Sequence, residues 1–120
     1  MRVIVIPEPA IVPIPTKRNG QLFVEERQVL FVDFLKTACK NYEPFCHAKN
    51  LTIYVKLLGV LNAGVVKSDG KEIIQFEDED FVHLLGAVQG STWLSPDVNL
   101  AYQGYYAAVY EAIKTETAKR

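Results

Sequence analysis

Residues 71–89 read KEIIQFEDEDFVHLLGAVQ, and within them one periodicity gives way to another. Glu72 to Phe76 is a short run rich in β-branched and aromatic residues, the composition of a strand. Four consecutive acids, Glu77, Asp78, Glu79 and Asp80, end it. Phe81, Leu84, Leu85 and Val88 then recur at i, i+3, i+4 and i+7, one apolar stripe of an α-helix. Carboxylates at a helix start accept from unpaired backbone N–H groups and complement the positive end of the macrodipole. The expectation is that Glu77 and Asp78 cap the helix while Glu79 and Asp80 face solvent. An acidic docking surface is the alternative use of the same four residues.

Working upstream, Val65–Lys67 and Glu72–Phe76 flank Asp69-Gly70, which spells a tight hairpin. Lys49–Asn62 reads as a helix, with Leu51, Tyr54, Val55, Leu58 and Leu61 on one face and Gly64 as its stop. Thr52, Ile53 and Tyr54 lower its helix propensity and keep a strand as the rival. Glu26–Lys40 reads as the first helix, striped by Leu30, Phe31, Phe34, Leu35 and Ala38 and ended by Asn41 and Pro44. Ahead of it, Arg2–Ile6 suggests a short strand. Pro7, Pro9, Pro13 and Pro15 forbid a helix, so segment 7–15 is an extended arm or an edge strand. Asn19-Gly20 signals a turn, and Gln21–Glu25 a returning strand.

Downstream, Gly90-Ser91-Thr92 breaks the pattern. Ser95 as N-cap, Pro96 at the first helical position and Asp97 in the first turn start a last helix over 96–117. Val98, Ala101, Tyr102, Tyr105, Val109, Ala112 and Ile113 share its broad face, and Lys119 and Arg120 suit its negative end. The sum is an α+β fold in one compact domain spanning 1–120, with about four helices, two short β-hairpins and a proline-rich arm.

Composition narrows the function. Of 120 residues, 49% are apolar and 22% charged, which fits a folded globular chain rather than a disordered one. Thirteen basic against fourteen acidic side chains leave a net charge of −1, so no long-range field draws the chain to nucleic acid or an anionic membrane. Lys17-Arg18 and Lys119-Arg120 are the short basic candidates. No apolar stretch approaches the ~20 residues of a membrane span. The N-terminal prolines and Glu8 interrupt what a secretory signal would keep apolar. The expected location is therefore intracellular, and the two cysteines, Cys39 and Cys46, are expected to be free thiols.

Catalytic constellations are thin. Cys46 precedes His47, but adjacent side chains diverge, and His83 lies inside a helical stripe. Cys39, Cys46 and His47 lack the paired spacing of a zinc site, and four contiguous acids entering a helix lack the alternation of a calcium loop. Phosphate-loop signatures are missing. No catalytic residue, metal, cofactor or small-molecule ligand is expected.

The aromatic residues point instead to contact. Tyr102, Tyr105, Tyr106 and Tyr110 spread over too wide an arc for one narrow stripe, and Ala101, Gly104, Ala107 and Ala108 beside them allow another backbone to approach. Tyrosine is enriched at interfaces. These four, with Trp93, Ile11 and Ile14, form the candidate interface for a protein partner, either a second copy or another chain; a wide helix face buried within the monomer is the other reading of the same tyrosines.

Four segments together carry a resemblance: IPEPAIV (6–12), VLFVDFLKTACKNYEPF (29–45), IIQFEDEDFVHLLGAV (73–88) and SPDVNLAYQGYYAAVYEAI (95–113). Their order resembles a group of small tailed-bacteriophage proteins of about this length. Phe81 stands where that group places a large aromatic, and Pro96 matches its last helix start. The resemblance implies a non-enzymatic protein–protein interaction module of a bacteriophage, structural in virion, tail or neck, or an assembly factor. A small nucleic-acid-associated or regulatory protein is the alternative, and a small enzyme ranks third.

Overall fold

The fold was analysed in a computed structural model, which describes residues 2–93 and 95–118, with side chains described through 112. In chain order its elements are β1 (Arg2–Val5), β2 (Ala10–Arg18), β3 (Gln21–Val29), α1 (Phe31–Lys40), α2 (Leu51–Ala63), β4 (Val66–Ser68), β5 (Lys71–Phe76), α3 (Asp78–Gly90), α4 (Pro96–Ala101) and α5 (Gln103–Ala118). Two 3-10 turns, Glu43–Cys46 and Ala48–Asn50, join α1 to α2. The class is α+β in a single domain: two small antiparallel sheets, four longer helices and the short α4.

The 71–89 stretch folds as its two periodicities require. β5 is the central strand of the sheet β1-β5-β4, and α3 leaves it directly. Ile4 faces Ile74 across the β1–β5 pair, and both are buried with Phe76. α5 packs along β1, while α1 lies against α2 and α3. Phe81, Leu84, Ala87 and Val88 supply the buried side of α3. Asn19-Gly20 and Asp69-Gly70 each place both turn residues at positive φ, the geometry that a two-residue hairpin demands.

Tyr42 explains two glycines that carry no turn. Its ring lies across α3 at Gly86 and Gly90, and a Cβ at Gly90 would sit 2.6 Å from Tyr42 Cε1. Glycines four apart on one helix face open the slot that this ring occupies.

Three sequence expectations need correction. The first helix starts at Phe31 rather than Glu26, because β2 runs back to Ala10 and pairs with β3 as far as Val29. Pairing along a full-length partner overrides the local helical pattern of 26–29. Leu30 consequently precedes the helix and is exposed. The second helix starts at Leu51 and turns its face away from the expected line: Leu57 and Leu61 are buried, Leu51 and Val55 exposed. That helix is apolar on nearly every side, so its pattern does not choose the buried one. The last helix is two helices, broken at Tyr102 with φ −88 and ψ 8. The expected Ser95 cap is present, its hydroxyl accepting from Val98 N at 3.3 Å. Of the two readings of segment 7–15, the edge strand holds from Ala10 onward, where the chain is paired with β3. Ile113's side chain, Lys119 and Arg120 lie outside the described set.

The hairpin β2–β3 shapes the molecule. Its base packs on the body through buried Val12 and half-buried Ala10, Ile14 and Val29, with α4 against β2. Its outer half stands off. The radius of gyration is 15.4 Å with extents of 54 × 37 × 23 Å, against roughly 13–14 Å for a compact chain of this length.

One side chain fixes the base. The Tyr105 hydroxyl accepts from Ala10 N at 2.7 Å and donates to the Val29 carbonyl, so it bridges the two ends of the hairpin. Its ring sits edge-on to Phe31 at 5.1 Å and beside Phe34 at 5.1 Å. Tyr105→Phe keeps the ring and removes the bridge, leaving two partly buried backbone groups without their partner, which costs about 1–3 kcal/mol. Thermal melting should fall by several degrees. A variant that melts like the parent would show the strand ends closing directly on each other.

Candidate interaction surface

Most of the expected aromatic interface is core. Phe34, fully buried, lies among Trp93 (5.4 Å, stacked), Tyr102 (4.6 Å), Tyr105 and Tyr106 (5.6 Å, edge-on). Tyr102 and Tyr105 are buried, and Trp93 and Tyr106 half-buried. Their polar tips are used internally: Trp93 Nε1 donates to the Tyr106 hydroxyl at 2.7 Å, which in turn donates to Asn99 Oδ1. Burial pushes the phenols of Tyr102, Tyr105 and Tyr106 above the usual tyrosine range. Tyrosines that satisfy their hydroxyls inside a monomer serve packing first. Of the set, Tyr110 is 39% and Ile11 57% exposed, while Ile14 is half-buried.

The four acids also divide differently. Glu77 is the N-cap residue of α3, yet its side chain makes no capping hydrogen bond. Asp78 pairs with Arg2 Nε at 3.7 Å. Glu79 is exposed as expected. Asp80, expected in solvent, is only 4% exposed and meets Lys56 Nζ at 3.2 Å. The helix dipole explains why acids collect in this first turn. The α2–α3 packing explains why Asp80 goes inward. Its contact comes from a lysine on another helix, which no local pattern announces.

The residues weighed for catalysis lie apart from one another or in ordinary settings among the described residues. Cys46 and His47 are both exposed, and His83 is half-buried on α3. Cys39 is buried and free, and desolvation pushes its thiol from 9.0 up to about 12, which keeps it protonated and unreactive at neutral pH. Among the described residues no cluster of three His, Cys, Asp or Glu side chains could hold a metal ion. None of their helices is long and apolar enough to cross a membrane.

Two surface features went unsingled in the sequence. The first is a hollow of about 660 Å³ between the β1–β2 connection and the start of α1, walled by Val5, Ile6, Pro9, Leu30 and Val65 with Glu8 and Lys71 also lining it. Three separate chain segments build it, so no single motif could reveal it. The second is the outer half of the hairpin. Leu22, Phe23 and Val24 are 73%, 48% and 68% exposed on consecutive positions of β3. The signal was legible: three consecutive apolar residues in a period-2 strand occupy both faces, so a two-stranded ribbon cannot bury them all.

The acids give a sharp test. Asp80→Ala removes a largely buried carboxylate and its Lys56 partner, an effect of roughly 1 kcal/mol, while Glu79→Ala stays within about 0.5 kcal/mol. Thermal melts of both variants should separate them in that order, and equal melts would remove the assigned role of Asp80. Comparison with protein-family models, with curated proteins and with solved structures finds no match for this chain.

Proposed function

We propose that this chain works by contact, as a non-enzymatic protein–protein interaction module whose contact element is the outer half of the β2–β3 hairpin. The carrying observation is the exposed run Leu22-Phe23-Val24 at the far end of a ribbon held firmly at its base. Scattered single apolar residues need no explanation on a protein surface, but a consecutive run on a projecting strand forms a patch that water solvates poorly. Such a patch, placed beyond the body, meets a partner before the rest of the surface does.

The resemblance of four motifs to small tailed-bacteriophage proteins supports a contact made in a virion, tail or neck, or in the assembly of one. The partner is then a second copy or another structural protein of the particle. Near-neutral net charge disfavours a nucleic-acid partner.

The test uses two differently tagged copies expressed together, and separately a tagged copy in the cells that harbour the protein. Leu22→Asp/Phe23→Asp replaces exposed side chains, so circular dichroism and melting should stay near the parent. Wild type should retain a second copy or another defined protein, with the double variant losing it by roughly tenfold or more. Equal recovery by both chains, or recovery of nothing by either, would overturn contact through the hairpin.

A further inference from the structure

We infer that the occupant of the hairpin is a second copy of the chain, paired edge to edge through β3 in an antiparallel, two-fold arrangement centred on Phe23. This rests on the hairpin being the contact element and names its partner.

The phase of the ladder decides which backbone groups are available. In a two-residue turn at Asn19-Gly20, the closing pair Arg18–Gln21 exchanges hydrogen bonds, and such pairs alternate along the strands. Thr16–Phe23, Ile14–Glu25 and Val12–Arg27 therefore bond across the hairpin. Leu22, Val24, Glu26 and Gln28 point their N–H and C=O groups outward. Two observations fix the same phase independently. Pro13 and Pro15 lie opposite Glu26 and Val24, where no inward N–H is needed. The Tyr105 hydroxyl bridges Ala10 N–H and the Val29 carbonyl, the pair that this phase turns toward each other.

The two outer edges are thus unequal. On β2 the outward positions include Pro13 and Pro15, which have no N–H to offer, and prolines of this kind block strand addition. The outer edge of β3 contains no proline and keeps every donor and acceptor from Leu22 to Gln28. Among the described residues β3 pairs with β2 alone, and no other backbone hydrogen bond reaches its outward groups. An open edge carrying exposed apolar side chains is a template for strand addition.

Charge selects the partner and the register. Antiparallel pairing of β3 with itself must match outward residues with outward residues, so the two-fold axis falls on a single residue. A centre at Glu25 or Glu26 sets that carboxylate against its own copy, a like-charge pair that is destabilising. A centre at Val24 sets Phe23 against Glu25 and Leu22 against Glu26. A centre at Phe23 lays the exposed run on itself: Phe23 faces Phe23, Leu22 faces Val24, and Gln21 faces Glu25. Aromatic pairs and apolar pairs directly across a ladder are the stabilising ones. The resulting four-stranded sheet has a β2 edge at each end, both closed by Pro13 and Pro15. Assembly stops at two copies rather than running on as a filament.

Sedimentation of the intact chain across the micromolar range should show monomer and dimer with no larger species. Val24→Pro keeps the hairpin ladder, because Val24 N–H points outward, and removes one edge donor. It should keep the parent's circular dichroism and weaken dimerisation by roughly tenfold or more. Register is read by oxidative crosslinking of single cysteines at 23, 24, 25 and 26 in a Cys46→Ser background. Position 23, a non-hydrogen-bonded pair with Cα atoms about 4.5 Å apart, should crosslink fastest. A strictly monomeric chain, a Val24→Pro chain that dimerises like the parent, or crosslinking dominated by 24, 25 or 26 would each overturn the proposal. A monomer whose hairpin still captures a different protein overturns the dimer and leaves the contact element standing. A monomer that captures nothing removes both.

Discussion

The Tyr105 hydroxyl joins the two parts of the molecule. Below it, the ring is locked among Phe31, Phe34 and Tyr102 in the aromatic centre of the core. Above it, the oxygen bonds both Ala10 and Val29, the two ends of the hairpin. A two-stranded ribbon by itself is marginal in water. Tied at its base to a buried helix, it becomes an extension of the core, and its direction is set by where α5 presents that one residue. The break between α4 and α5 at Tyr102 belongs to the same arrangement: the kink brings Tyr102 to within 4.6 Å of the Phe34 ring while Tyr105 reaches the hairpin.

The proposed contact function rests on what this anchoring leaves outside. A monomer optimised only for stability would not hold Leu22, Phe23 and Val24 in water, since exposed apolar runs on open strands invite association. Here one edge of the ribbon is blunted by Pro13 and Pro15 while the other is not, and the apolar run lies on the open one. That asymmetry separates a directed contact from indiscriminate stickiness. Cys39 is sealed in the core with its thiol pushed up to about 12, and among the described residues no group of three His, Cys, Asp or Glu side chains gathers around the exposed Cys46 and His47.

What could be read in the sequence was local chemistry. Asn19-Gly20 and Asp69-Gly70 name their turns, Ser95-Pro96 names its helix start, and 71–89 names a strand that becomes a helix, because each signal lies within a few neighbouring residues. Several readings turn on partners distant in sequence. Residues 26–29 carry a helical pattern and fold as strand because β2 is long enough to pair with them. Asp80 turns inward to meet Lys56 from another helix. Of the two readings of the tyrosines, burial holds for Tyr102 and Tyr105, because Phe34 on another helix gives their rings a core to pack in. Leu22-Phe23-Val24 is visible as an apolar run in a returning strand, but its exposure depends on the hairpin standing off the body, which no local pattern announces.

The most direct measurement is residue-resolved amide hydrogen exchange along β3 at low and high protein concentration. At low concentration Phe23, Glu25 and Arg27 should be protected by their bonds to β2, while Leu22, Val24, Glu26 and Gln28 exchange freely. At high concentration Leu22 and Val24 should become protected, with Glu26 and Gln28 still fast. Protection in the opposite alternation, or none along β3 at any concentration, would contradict an anchored hairpin with one open edge.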